Sequence, residues 1–65
     1  MNRIKEVLEE KGIKQVWLAD KIGKSTNMVN RYVGNKIQPS IKDLFLIAEI
    51  LHVDPKDLLN TKEKK

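Results

Sequence analysis

Sixty-five residues without a cysteine leave room for one domain and exclude a disulfide framework or a cysteine-built metal site. The single histidine, His52, excludes a histidine-based metal cluster. No apolar run reaches the roughly 20 residues of a membrane span, and the charges from Arg3 onward give no signal-peptide pattern. The expectation is a soluble cytoplasmic protein with no cofactor, no membrane contact and no evident small-molecule ligand.

A chain this short buries only about 60% of the surface its unfolded form exposes, so stability must come from local helix formation and efficient packing. The net charge of +4 is unevenly spread. Residues 14–36 carry Lys14, Lys21, Lys24, Arg31 and Lys36 against Asp20 alone. Residues 1–13 are balanced, and residues 37–59 are net acidic. Concentrated positive charge in the folded part suits a polyanionic partner, although a solvated lysine-rich face would look the same by charge alone.

In chain order, Ile4, Val7, Leu8 and the stem of Lys11 form one apolar stripe over residues 2–11, which predicts a first helix. Asn2 is its expected N-cap, and Gly12 suits the left-handed position past its end. A second helix over 15–22 turns Leu18, Ala19 and Ile22 to one side, and small Ala19 permits close approach by another helix. Its start at Lys14 lacks a capping side chain, at a cost of about 1 kcal/mol. Gly23 supplies the positive φ of a sharp turn, and Ser25 opens a third helix over about 25–33. Met28, Val29 and Tyr32 face inward, with Val29 under Ala19, leaving Thr26, Asn27, Asn30 and Arg31 outward. These are short, polar and acid-free, unlike an ordinary solvated face.

Gly34 to Ser40 reads as a loop in which Asn35 takes the left-handed conformation. Ser40 caps a fourth helix, with Asp43 supporting its start and Ile41, Leu44, Ile47, Ala48 and Leu51 as its core stripe. Asp54 and Pro55 begin a fifth helix that ends near Asn60, with Leu58 and Leu59 closing the core. His52 reads as a surface or helix-end residue. The pattern is all-α, a bundle of five helices over residues 1–60 with a charged flexible tail over 61–65.

The stretch Gln15-Val-Trp-Leu-Ala-Asp-Lys-Ile-Gly, then Ser25 and Val29, Gln38-Pro-Ser, Ile47-Ala-Glu-Ile-Leu-His-Val and Asp57-Leu-Leu resembles the Cro/CI-type (XRE-like) helix-turn-helix family of phage repressors and small bacterial regulators. The resemblance covers about residues 3–60. It implies a compact five-helix bundle of the lambda-repressor-like type that binds double-stranded DNA. By position, Thr26, Asn27, Asn30 and Arg31 would read base edges. Lys14, Gln15, Lys24, Ser25, Asn35, Lys36 and Lys42 would contact the DNA backbone, Gln15 also bracing the third helix. Arginine pairs bidentately with guanine and asparagine with adenine, so the residue types suit the implied roles.

The sequence departs from the family pattern in places. Lys24 stands where an apolar residue commonly anchors the turn, and Asn35 where glycine is usual. Trp17 replaces a charged residue; its ring would pack on the first or fourth helix, or else lie part-exposed near the DNA backbone, with packing favoured. Phe45, Leu46 and Ile50 form an apolar strip on the fourth helix, expected at a weak homodimer interface stabilised on DNA. The expected function is a small transcriptional regulator, a repressor acting by occupancy of a near-palindromic operator. The alternative is an antitoxin-like protein-interaction module, which acid or bulky apolar residues on the outward third-helix face would favour. No nucleophile–base pair, metal cluster or phosphate-cradling glycine loop can be assembled, so an enzyme is not expected.

Overall fold

Apolar residues three and four apart build four α-helices in the computed structural model, which describes residues 2–59. They are α1 (Ile4–Lys11), α2 (Gln15–Ile22), α3 (Thr26–Val33) and α4 (Ile41–Leu51), followed by a 3-10 turn at Pro55–Leu58. Asn60 and the tail expected over 61–65 lie outside the described residues. Each helix presents a short stripe to one core: Ile4, Val7 and Leu8; Leu18, Ala19 and Ile22; Val29, Tyr32 and Val33; Leu44, Ile47, Ala48 and Leu51. Leu58 completes it.

The caps follow the local chemistry. Ser25 Oγ accepts from the Met28 N–H at 3.0 Å, and Ser40 Oγ accepts from the Asp43 N–H at 3.1 Å. Lys14 precedes α2 without a side-chain cap. Gly23 takes φ +72°, and the N–H groups of Gly23 and Lys24 close the end of α2 on the carbonyls of Asp20 and Ala19. This double closure is the Schellman arrangement, and it lets the chain reverse into α3 within three residues.

The structure corrects the sequence reading at several points. The fifth helix is a single 3-10 turn. Asp54 and Asp57 form a reciprocal capping box, and the Leu58 carbonyl is then taken by the Arg3 N–H at 2.7 Å. The chain leaves in an extended conformation at Leu59, which bridges Asn2 and is exposed rather than part of the core. Ile41, expected in the core, is 72% exposed because it opens α4 before the buried stripe begins at Leu44. Trp17, expected to pack on α1 or α4, is not part of the core. With 3.6 residues per turn, the neighbouring core positions Leu18 and Ala19 put it on the outer side of α2, where it is 43% exposed. The Lys21 ammonium lies 5.3 Å from its ring centroid, an i, i+4 cation–π pair.

Asn2 is more than a helix start. Arg3 occupies the N-cap position of α1, while Asn2 Oδ1 accepts from the Ile4 N–H at 3.0 Å. Asn2 is only 5% exposed, and is the one polar residue buried among the described residues. Its side-chain Nδ2 donates to the Tyr32 carbonyl at 3.0 Å and to Gln38 Oε1 at 2.9 Å. Its backbone N–H donates to Asn35 Oδ1 at 2.8 Å, and its carbonyl accepts from Asn35 Nδ2 at 3.3 Å. A buried amide is costly when unsatisfied, and here each of its groups has a partner.

Tyr32 carries the second polar tie. Its hydroxyl donates to Asp43 Oδ2 at 3.4 Å, the same oxygen that the Lys24 ammonium approaches at 3.6 Å. Lys24 therefore pins the turn to α4, against the expectation that it leaves the turn poorly anchored. Burial, and then the Asp43 charge, raise the Tyr32 phenol above its ordinary value, partly opposed by Lys24.

A raised phenol stabilises the fold fully below the ordinary tyrosine value near 10, and that contribution is lost as pH rises through the folded value. Since Tyr32 is the only tyrosine, phenolate absorbance reports it alone. Its titration midpoint should lie higher in the native protein than in denaturant, and Tyr32→Phe should flatten the alkaline loss of thermal stability. Asn35 and His52 share one backbone conformation, φ +59° and +60°, which costs a side-chain-bearing residue about 1 kcal/mol or more. His52→Gly, at an exposed helix end, should stabilise by about 0.5–1 kcal/mol. Asn35→Gly relieves the same strain but strips hydrogen bonds from a part-buried site, and should destabilise by about 1–3 kcal/mol. Chemical denaturation of both variants checks the opposite signs.

Candidate nucleic-acid interface

α2 packs more extensively on α3 than any other pair of elements in the fold, with Ala19 and Val29 both buried between them. That contact presents the far side of α3 to solvent. Thr26, Asn27, Asn30 and Arg31 are all exposed there, as the sequence reading placed them. The first turns of α2 and α3 contain no acidic residue, so the partial positive charge of each helix start is uncompensated by a side chain. Arg31 and Lys36 form no ion pair among the described residues, where the only two pairs are Arg3–Glu10 and Lys24–Asp43.

Individual side chains divide into those that are free and those already engaged. Thr26, Asn27 and Arg31 project from α3 at its first, second and sixth residues. Asn30 lies between them but donates through Nδ2 to Gln15 Oε1 at 3.3 Å. Gln15 therefore braces α3 one turn further along than its start. Lys14 and Lys42 are exposed at the beginnings of α2 and α4. Ser25 is committed through its hydroxyl to capping α3, although its position at the mouth of that helix is exposed.

Two residues of the expected backbone-contacting set have their polar groups engaged within the fold. Lys24 spends its ammonium on Asp43. Asn35 directs both ends of its side-chain amide inward: Oδ1 accepts from the Asn2 N–H and from Gln38 Nε2 at 3.1 Å, and Nδ2 returns to the Asn2 carbonyl. The reason is conformational. The left-handed backbone of Asn35 closes α3, its N–H bonding Tyr32 O at 3.1 Å and the Lys36 N–H bonding Arg31 O at 2.9 Å, and this aims the side chain back toward the N-terminus. Lys36 is carried outward by the same turn.

Asn2, Gln38 and Asp43 were not singled out for these roles by sequence. Asn2 meets its partners across 30 or more positions, so no local pattern could have signalled it. The Trp17–Lys21 pair was also missed, although its four-residue spacing is a local signal that could have found it.

Among the described residues no group of His, Asp or Glu side chains could hold a metal, and no helix is long and apolar enough to cross a membrane. A cleft of about 400 Å³ lies between α1 and the start of α2, lined by Lys5, Leu8, Glu9, Ile13, Lys14 and Gln15, with Val33 at its edge. On α4, Phe45 is 57% exposed, whereas Leu46 and Ile50 are half-buried against the core. The exposed apolar surface of that helix is therefore Ile41 with Phe45, four residues apart, rather than the whole expected strip.

A helix-turn-helix family model matches residues 4–58. The chain is also similar to the crystal structure of a candidate DNA-binding protein from Bacteroides fragilis, with 50% sequence identity and a TM-score of 0.91 over 92% of this chain and 97% of that one. No curated protein matches. With the turn, its two flanking helices and their supporting bundle all in place, the chain belongs to the XRE-type helix-turn-helix family.

Proposed function

We propose that this protein binds double-stranded DNA by laying α3 in the major groove, and that it regulates transcription by occupying an operator. The observation that carries this reading is the outward face of α3, where Thr26, Asn27 and Arg31 stand exposed with no acidic residue beside them on that helix. An α-helix of this size fits the major groove, where arginine reads guanine and asparagine reads adenine for about 1–3 kcal/mol each. Lys14, Gln15, Lys36 and Lys42 supply the backbone grip that sets register without reading sequence. The similarity to a protein described as DNA-binding supports the same reading.

Action as a repressor on a near-palindromic site requires two copies with their α3 helices roughly 34 Å apart. The exposed pair Ile41 and Phe45, beside half-buried Leu46 and Ile50, is the surface through which two copies would meet. Its small extent suits a weak dimer that forms chiefly on DNA.

Selection of bound fragments from random DNA tests the reading directly and yields half-site and spacing together. If a dimer touches about 6–10 phosphates, affinity should fall roughly 10³–10⁵-fold between 50 and 200 mM salt; a flat response defeats the proposal. Arg31→Ala should relax preference at one base pair, while Lys36→Ala should weaken all sequences alike and lower the salt slope by about 1. Sedimentation at high micromolar concentration, with and without the selected duplex, tests the dimer. Phe45→Glu should abolish it while leaving the monomer folded, and a monomer under every condition removes that part of the proposal.

A further inference from the structure

The loop after α3 is short, polar and exposed along much of its length, yet it is stitched to the N-terminus by a closed set of amide hydrogen bonds. Asn2, Asn35 and Gln38 form a triangle. Asn2 Nδ2 reaches Gln38 Oε1 at 2.9 Å, Gln38 Nε2 reaches Asn35 Oδ1 at 3.1 Å, and Asn35 Oδ1 also accepts the Asn2 N–H at 2.8 Å. The second Nδ2 hydrogen of Asn2 goes to the Tyr32 carbonyl in the last turn of α3, at 3.0 Å. That carbonyl also takes the Asn35 N–H. A residue from the far end of the chain thus completes the C-terminal cap of α3 and holds the next turn in place. Lys36 sits inside that turn, between Asn35 and Gln38, with its own N–H fixed to Arg31 O at 2.9 Å.

We infer that Asn2 is a positioning residue for DNA-backbone contact: it carries no charge and does not face the proposed groove, but it pre-orders the loop that presents the Lys36 ammonium. This rests on the DNA-binding reading above. A loop held in its binding conformation loses less conformational entropy on association, and a misplaced cation gains less from a phosphate. Asn2 is suited to the task because its burial makes each bond costly to break. Gln38 and Asn35 relay that rigidity outward. The N-terminal segment is itself fixed, through the Arg3 N–H to Leu58 O and the Asn2–Leu59 bridge, so the latch is anchored on the side away from the loop.

The salt dependence of binding to a mixed-sequence duplex of about three helical turns separates this role from a merely structural one. Asn2→Ala exchanges one neutral residue for another, so loss of protein charge cannot change the slope. It should nevertheless weaken binding about tenfold and lower the slope by about 1, as Lys36→Ala does, with base-pair discrimination on the selected duplex unchanged. In a Lys36→Ala background the same substitution should cost less than about twofold, because both changes act through one contact. Gln38→Ala, at an exposed position, should reproduce the direction in a protein that keeps every helix cap. It decides the matter if Asn2→Ala does not fold. Asp54→Ala, which removes the cap of the 3-10 turn, should lower stability and leave the slope intact. Wild-type protein that binds no duplex overturns the DNA-binding reading and this inference with it. Wild-type protein that binds normally, with Asn2→Ala or Gln38→Ala retaining the full salt slope or adding independently to Lys36→Ala, overturns this inference alone.

Discussion

The close seating of α3 on α2 is the constraint on which the rest of the molecule depends. A small side chain at Ala19 and a fully buried Val29 let the two helices meet across a turn of three residues, and Gly23 gives that turn its left-handed step. Once this pair is rigid, the direction of every outward side chain on α3 is set. In a domain with so little core, rigidity of this kind cannot come from a large interior. α1 and α4 serve to keep the pair closed, burying Ile4, Val7 and Leu8 on one side and Leu44, Ile47 and Ala48 on the other.

Polar ties finish what the core leaves loose, and they do so at both ends of α3. Lys24, just ahead of its start, and Tyr32, in its last turn, converge on one oxygen of Asp43, binding the turn and the helix to the beginning of α4. At its finish, Asn2 caps the last turn and gathers Asn35 and Gln38 around it. Lys24 is a part-exposed surface charge whose pairing adds little stability. Its effect is to pin the turn, and it withdraws one cation from the exposed face. Arg31 within α3 and Lys36 just past it are exposed and form no ion pair among the described residues, a distinction that the charge count alone did not resolve.

Much of this architecture was legible in the sequence. Helix positions followed from three-and-four spacing, and the caps at Ser25, Ser40 and Asp54 from short polar residues ahead of each stripe. The outward set on α3 followed by elimination, once Val29 and Tyr32 were turned inward. Errors arose where periodicity has no partner term. Ile41 and Trp17 are apolar at helical spacing, but a stripe does not say where the neighbouring element stops, and both lie beyond that limit. The fifth helix is a 3-10 turn whose last carbonyl, at Leu58, meets the N–H of Arg3, 55 positions earlier in the chain, a partner that no local pattern signals.

The sequence by itself determined the helices, the glycine turn, the placement of positive charge and the family resemblance, since each depends on residues within a few positions of one another. Only the tertiary structure decided which polar side chains remain free. Asn30, Lys24 and Asn35 carry groups suited to DNA, yet each meets a partner 15 to 33 positions away. A hydrogen bond is satisfied by whatever stands within about 3 Å, and that distance is a property of the folded chain, not of its order.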